Sequence, residues 1–343
     1  MKYLIYVSWQ STDTNHAGMK YLCRRLAQLY PEEYTAIESL RPQEYKRPRH
    51  GSLLSLFTPK YLFSASRIRK DNIRVAENLR LNSGDTVFLM EYMDKTVDQY
   101  DIARILRKNY PDVKIYGMSH LVPSRIDKMF DDRSLKKWAS AVDCIITLGS
   151  SLTDYYKNRG IDSVITTFHY VDDYYRSDSV TDTGFKVLVQ GSLKRDPGLL
   201  RRIVEDNPDI PFIICQGNKD LSRQFSRYHN VTLMPFISEE ELRQLMRECP
   251  VSLNVMKDTI GSNVIVTSMA MGQAMVCSDV GSIRDYCDDS NCIFCVTLQD
   301  FSSALRHLKN DKAALLNMRE SSLKKSEHFM LRNFSKALSD MTN

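Results

Sequence analysis

Residues 230–287 read NVTLMPFISEEELRQLMRECPVSLNVMKDTIGSNVIVTSMAMGQAMVCSDVGSIRDYC. Short apolar runs alternate here with helical patterns. The run 231–236 is strand-like, and Ser238 with Glu241 three residues on has the spacing of a capping box at the head of a helix. A second run, 251–256, is followed by Gly261-Ser262-Asn263, which opens a helix running to Met271 and stopping at Gly272. A third run, 274–280, comes straight after it. The runs are nearly continuous in apolar residues, which marks parallel strands covered on both faces. Serine or asparagine at a helix start caps it, and the free amides there can hold a phosphate. Taken alone, a Gly-Ser-Asn turn is plain capping; the order of elements around it gives it a binding sense.

The same pattern extends along the chain. The first half offers apolar runs at 2–9, 86–93, 113–118, 143–149 and 163–168, and the second at 186–191 and 212–217 before the quoted stretch and at 291–296 after it. Strand–helix alternation predicts right-handed crossovers and doubly wound sheets. It is interrupted once, by the aperiodic, turn-rich stretch 172–184, which reads as a linker. The expected organisation is an α/β chain of two doubly wound Rossmann-like domains facing a cleft. The first spans 1–171 and the second 185–325, and a C-terminal helix, 326–343, is free to return to the first. In such sheets ligands bind beyond the carboxyl ends of the strands.

Composition sets limits. At 343 residues, 43% hydrophobic and 26% charged, the chain suits two soluble globular domains. No apolar run reaches the roughly 20 residues of a membrane helix, and the N-terminus lacks the plan of a signal peptide. A cytoplasmic location is expected. Cys292 and Cys295 form one C-x-x-C with Cys287 near it, but no second pair exists, so these read as buried strand cysteines and no metal is expected. The net charge of +5 is uneven. Between Arg41 and Lys70 lie eight Lys or Arg against one acid, Glu44, with Tyr45, Phe57, Tyr61 and Phe63 interleaved. Such a segment suits either a solvated loop or the anionic inner face of a membrane. Nucleic acid is not expected, since no recognition motif accompanies the charge.

The stretch 238–281 resembles the donor-binding region of the GT-B retaining glycosyltransferases, family 4 in particular. The matching residues are Ser268-Met269-Ala270-Met271-Gly272 and Ser278-Asp279-Val280-Gly281. Weaker similarities are Ser150 after the run 143–149, His169-Tyr170-Val171-Asp172, and His16-Ala17-Gly18-Met19 after the first run, where the family has a Gly-rich turn. The resemblance implies a GT-B fold, a UDP- or GDP-linked sugar as substrate, no separate cofactor, and an active site between the domains. It also implies no metal, because basic side chains and helix amides usually stabilise the leaving diphosphate in this class. The sequence departs from the family where its paired glutamates fall, at Thr259 and Thr267. The family's Arg and Lys after the first strand of this domain fall on Ser192 and Pro197, with Lys194 and Arg195 in the same loop.

The candidate donor and phosphate residues are therefore Gly18, Gly191, Lys194, Arg195, Gly217, Asn218, Gly261, Ser262, Asn263 and Thr267. Loops after Gly217 and Phe236 are expected to meet the nucleobase. His120 follows the run 113–118, where the family often has a histidine reaching the donor sugar; the alternative is a helix cap. Glu91, in the run 86–93, is the best-placed carboxylate of the first domain, with Asp13 as a rival should an inverting reaction need a base. No G-x-S-x-G, P-loop or G-x-G-x-x-G occurs. The expected activity is transfer of a sugar to a glycan or lipid-linked acceptor, in surface polysaccharide synthesis. A sugar-nucleotide epimerase and a non-catalytic binding partner of the same fold are the alternatives.

Overall fold

The structure is a computed structural model. It describes residues 1–7, 16–39, 59–191, 194–217 and 220–342, and for 59–65 the backbone alone. Candidate residues Asp13 and Asn218 and most of the Arg41–Lys70 segment therefore lie outside the described residues. The chain divides into two compact units, Met1–Thr167 with Leu338–Asn343, and Phe168–Ala337.

The first unit holds a six-stranded sheet: β1 (Lys2–Val7), β2 (Tyr34–Ser39), β3 (Thr86–Leu89), β4 (Lys114–Ser119), β5 (Cys144–Thr147) and β6 (Val164–Thr166). Its order is β2-β1-β3-β4-β5-β6, and every pair is parallel. The central strands are the apolar ones: Leu4, Ile5, Val87, Leu89 and Ile115 are fully buried. β2 went unpredicted because YTAIES is an edge strand, buried at its two ends and only half-buried between. The helix Met19–Leu29 buries Met19, Leu22, Cys23 and Leu26, the i, i+3, i+4, i+7 stripe that seats a helix on a sheet. The terminal segment Leu338–Asn343 is tied to this unit by Lys2 Nζ donating to Ser339 Oγ (2.9 Å) and Tyr116 Oη donating to the Met341 carbonyl (2.6 Å).

The second unit holds β7 (Val187–Val189), β8 (Phe212–Cys215), β9 (Val231–Met234), β10 (Val251–Asn254), β11 (Ala274–Ser278) and β12 (Cys292–Cys295), all parallel, in the order β12-β11-β10-β7-β8-β9. Successive strand residues feed two separate cores. Val187, Phe212, Val251 and Val276 join one, Leu188, Met275 and Cys277 the other, as the pleat requires when both faces are covered. All six strands coincide with apolar runs of the sequence.

The stretch 172–184, expected as a linker, packs inside the second unit. Gly272 ends the helix Asn263–Ala270 at φ +67°, and a Cβ there would lie 2.6 Å from Val180. Buried Arg319 donates through Nε to the Gly272 carbonyl (2.8 Å) and through Nη1 to the Thr181 carbonyl (2.7 Å). Truncation strands the buried Gly272 carbonyl and deprives the more exposed Thr181 carbonyl of its donor. Arg319→Ala is therefore expected to destabilise this unit by about 2–4 kcal/mol, two lost charge-assisted bonds. A lowered urea midpoint with an unchanged slope checks it.

Candidate functional site

In the second sheet the crossovers from β7 run toward β9, and those from β10 run the other way toward β12. The order therefore reverses between β7 and β10, which is where open α/β sheets bind ligands. The two loops leaving those strand ends are stitched together. The Lys257 amide donates to the Lys194 carbonyl (2.8 Å), the Asp196 amide donates to the Val255 carbonyl (3.0 Å), and Arg195 bridges Met256 in antiparallel sense. Lys194 adopts φ +52°, uncommon for a residue with a side chain and typical of functional loops.

Arg195 is folded back against this loop. Gly191 has φ +86°, and a Cβ there would meet Arg195 Nη2 at 2.7 Å and Val264 Cγ2 at 3.1 Å. Glycine thus leaves the space in which the guanidinium lies, beside the first turn of the helix Asn263–Ala270. Nε and Nη1 of Arg195 are inaccessible and have no hydrogen-bond partner among the described residues. Burial pulls the guanidinium down to about 10, with only the Cys277 thiol acting against that. A half-buried guanidinium with two nitrogens cut off from both water and protein acceptors is costly to maintain. It is the arrangement expected of a group whose partner is an anionic ligand.

Neighbouring elements hold the rest of the loop. Gly281 has φ +53°, and a Cβ there would sit 2.1 Å from the Thr259 carbonyl oxygen; the Ser282 amide donates to that same oxygen (2.8 Å). The Met256 amide donates to Ser278 Oγ (2.8 Å). Ser278-Asp279-Val280-Gly281 is thus the brace against which the loop 256–262 is laid. Ser262 caps the following helix, its Oγ accepting from the Val264 amide (3.2 Å) and its carbonyl from the Ile265 and Val266 amides. The Ser262 and Asn263 amides make no hydrogen bond among the described residues, and Asn263 Oδ1 is buried without a partner there. Beneath the turn runs a buried polar ladder. Gln190 Nε2 donates to Ser268 Oγ (3.1 Å), Ser268 Oγ to Ser252 Oγ (2.9 Å), and Asn254 Nδ2 to Ser252 Oγ (3.0 Å).

Gly191, Lys194, Arg195, Gly261, Ser262 and Asn263 are thereby brought together. Thr267 is one turn further into the helix, and its hydroxyl donates to the Asn263 carbonyl of its own helix. Its proton is committed to the backbone, unlike the carboxylate the family resemblance places there. Gly217 (φ +57°) lies two residues past β8, the strand next to β7. Phe236, beyond β9, is 68% exposed, a large apolar surface at the carboxyl edge.

In the first unit the order reverses between β1 and β3. Gly18 (φ +93°) precedes the helix that follows β1. Glu91 lies just past β3 and His120 just past β4, and the parallel pairing of those strands brings the two side chains together. Glu91 Oε2 is 2.7 Å from His120 Nε2, with the Glu91 side chain 1% exposed and that of His120 23% exposed. Gln99, fully buried, accepts from the Glu91 amide (3.0 Å) and donates to the Ile5 carbonyl (3.1 Å), locking the segment to β1. Burial would lower the His120 pKa; the Glu91 carboxylate, Asp94 and the Met90 carbonyl reverse that, and it ends above its usual value.

Sequence reasoning missed Tyr286 and Lys257. Lys257 supports the Lys194 loop through its backbone and carried no sequence signal. Tyr286 stands in the helix after the brace, and only its position relative to Gly261 in space reveals its part.

Two Rossmann-like units of six parallel strands each give the chain the GT-B fold of glycosyltransferases. Residues 198–311 match the family of group 1 glycosyl transferases. Similar solved structures include a sucrose-phosphate synthase from Thermosynechococcus elongatus, 12% identical, with a TM-score of 0.72 over 99% of this chain and 98% of that one. HepE of Anabaena, solved with UDP and glucose, is 12% identical with a TM-score of 0.70 over 99% of both chains. A glycosyltransferase from Rickettsia africae is 11% identical with a TM-score of 0.67 over 99% and 97%. No curated protein matches the chain in sequence. Among the described residues no helix is long and apolar enough to cross a membrane.

Proposed function

We infer that the chain is a glycosyltransferase that moves a hexose from a nucleoside diphosphate sugar to a glycan or lipid-linked acceptor, most simply with retention at the sugar. One observation carries this reading: half-buried Arg195, whose Nε and Nη1 are inaccessible, lies by the helix turn of Ser262 and Asn263, and among the described residues neither those two nitrogens nor those two amides make a hydrogen bond, at the point where the strand order reverses. That combination suits a diphosphate, whose charge grows as the glycosidic bond breaks. In this reading the Gly261–Asn263 turn and the Lys194–Arg195 loop hold the diphosphate, and the exposed Phe236 edge with the loop after Gly217 meets the base. UDP- and GDP-linked sugars are the proposed donors; HepE, of the same fold, is solved with UDP and glucose. The basic and aromatic Arg41–Lys70 segment supports an acceptor at a membrane surface, as in surface polysaccharide synthesis.

The test is calorimetric titration of the full chain with UDP and GDP, followed by hydrolysis and transfer assays with a panel of their sugars. Micromolar binding of one nucleotide and turnover of its sugar are expected. Absence of binding and turnover with every member of the panel would overturn the reading.

A further inference from the structure

Gly191 and Gly281 each clear room for a charged side chain. Gly191 leaves the space of the Arg195 guanidinium, and Gly281 leaves that of a carboxylate: a Cβ there would lie 2.7 Å from Asp258 Oδ1. Asp258 is half-buried, three residues before Gly261 in the loop that leaves β10. The neighbouring carboxylates are committed elsewhere. Asp196 Oδ1 accepts from the Gly198 and Leu199 amides (both 3.1 Å), and its Oδ2 lies 3.7 Å from Lys257 Nζ. Asp279 accepts from Nε and Nη2 of Arg284, at 2.9 and 2.8 Å. Asp258 makes neither a hydrogen bond nor an ion pair with any described residue, although Lys257 precedes it in the chain.

A carboxylate offers two oxygens that accept and none that donates. Near a diphosphate it is repelled, so phosphate is not its partner. Hydroxyl groups are, and a sugar presents them in adjacent pairs. We propose that Asp258 is a specificity residue of the donor site: its carboxylate accepts hydrogen bonds from a vicinal pair of sugar hydroxyls and so separates sugar-bearing diphosphates from bare ones. The ribose of a nucleoside and the transferred hexose both carry such a pair. The proposal rests on the function given above. Within that function the groups around the turn divide by charge. Arg195 and the Ser262 and Asn263 amides meet the phosphates, and Asp258 meets the hydroxyls. The same carboxylate disfavours inorganic pyrophosphate, which brings charge and no hydroxyl pair.

The experiment is calorimetric titration of the full chain as wild type, Asp258→Asn and Asp258→Ala, run once with EDTA and once with magnesium. The ligands are inorganic pyrophosphate, UDP, its 2′,3′-dideoxy form and UDP-glucose, with the GDP counterparts in parallel. Asp258→Ala is expected to melt with the wild type, because it breaks no bond among the described residues. It should bind pyrophosphate as well as the wild type or better, since a negative charge has gone. It should lose about 10- to 100-fold in affinity for a sugar-bearing ligand, the size of one bond to a charged group. Asp258→Asn keeps one accepting oxygen and should fall between. A loss seen with UDP or GDP and absent with the dideoxy form supports the proposal and makes ribose the partner. A loss confined to the glucose conjugates supports it and makes the hexose the partner. Equal losses for every ligand, pyrophosphate included, would make Asp258 structural. A loss seen only with magnesium would make it a metal ligand, and no loss at all a solvated loop residue. Each of these three overturns the proposal and leaves the donor site standing. A wild type that binds none of the ligands removes the donor site and this proposal with it.

Discussion

Replacing Arg195 with methionine is expected to raise the melting temperature of the unliganded protein while removing its affinity for nucleoside diphosphates. The two effects have one cause. Nε and Nη1 are shut off from water and unpartnered, and burial has already pulled the guanidinium down to about 10. Arg195 as a whole is half-buried, but two of its three guanidinium nitrogens are held away from water with no hydrogen bond among the described residues to offset the cost. Well-packed apolar replacements of buried charges are often stabilising by about 1–4 kcal/mol. Methionine is long and flexible enough to fill the channel that Gly191 leaves. In the complex the balance reverses. Charge-assisted bonds from a guanidinium to phosphate contribute about 1.5–3 kcal/mol each, so losing them weakens binding roughly 10- to 100-fold. Arg195→Lys should fall between, since it keeps the charge and loses the planar fork. Calorimetric melting with and without UDP or GDP reads both effects. An unliganded variant that melts lower, with nucleotide affinity intact, would make Arg195 a structural residue and remove it from the donor site.

The strand–helix alternation was legible because buried parallel strands must be apolar throughout, and all six strands of the second unit stand in such runs. The exception in the first unit follows the same physics. β2 lies at the sheet edge, where Glu38 and Thr35 are tolerated and the signal dissolves. At the site, the backbone was more legible than the side chains. Ser238 with Glu241, and Ser262 at the head of the next helix, form the caps their types and spacing suggest, because capping is a local interaction. Tyr286 could not be found this way, since its part depends on a contact between residues 25 positions apart, 261 and 286. Thr267 was placed correctly on its helix, but a hydroxyl can bond back to the carbonyl four residues earlier, and nothing in the sequence tells that from a hydroxyl turned to a ligand. The Glu91–His120 pair was visible as two residues and invisible as a pair, because only the register of β3 against β4 joins them.

Gly261→Ala is expected to unseat the Gly261–Asn263 turn, for two causes that can be told apart. Gly261 has φ +103°, a backbone that side-chain-bearing residues adopt at a cost of about 1–3 kcal/mol. A Cβ there would also lie 2.1 Å from Tyr286 Oη, 2.5 Å from Cζ and 2.8 Å from Cε2. Tyr286 has no room to retreat. Its hydroxyl accepts from the His169 amide (2.8 Å), its ring stacks on Phe329 with 5.2 Å between centroids, and it is 2% exposed. The turn must give instead, carrying with it the Ser262 cap and the two free amides. Strain and overpacking together predict a loss of about 2–4 kcal/mol in stability and roughly 100-fold in diphosphate affinity, as for two lost bonds to a charged group. Tyr286→Leu separates the causes. Alone it destabilises, because it strands the His169 amide and empties the stack. Combined with Gly261→Ala it removes the clash and leaves only the φ strain, so the double variant should lose less than the sum of the two singles. A coupling of 1 kcal/mol or more, roughly the range found between residues in contact, is expected from denaturation of all four proteins. Strict additivity would assign the whole effect to the backbone angle and would mean that Tyr286 does not shape the turn.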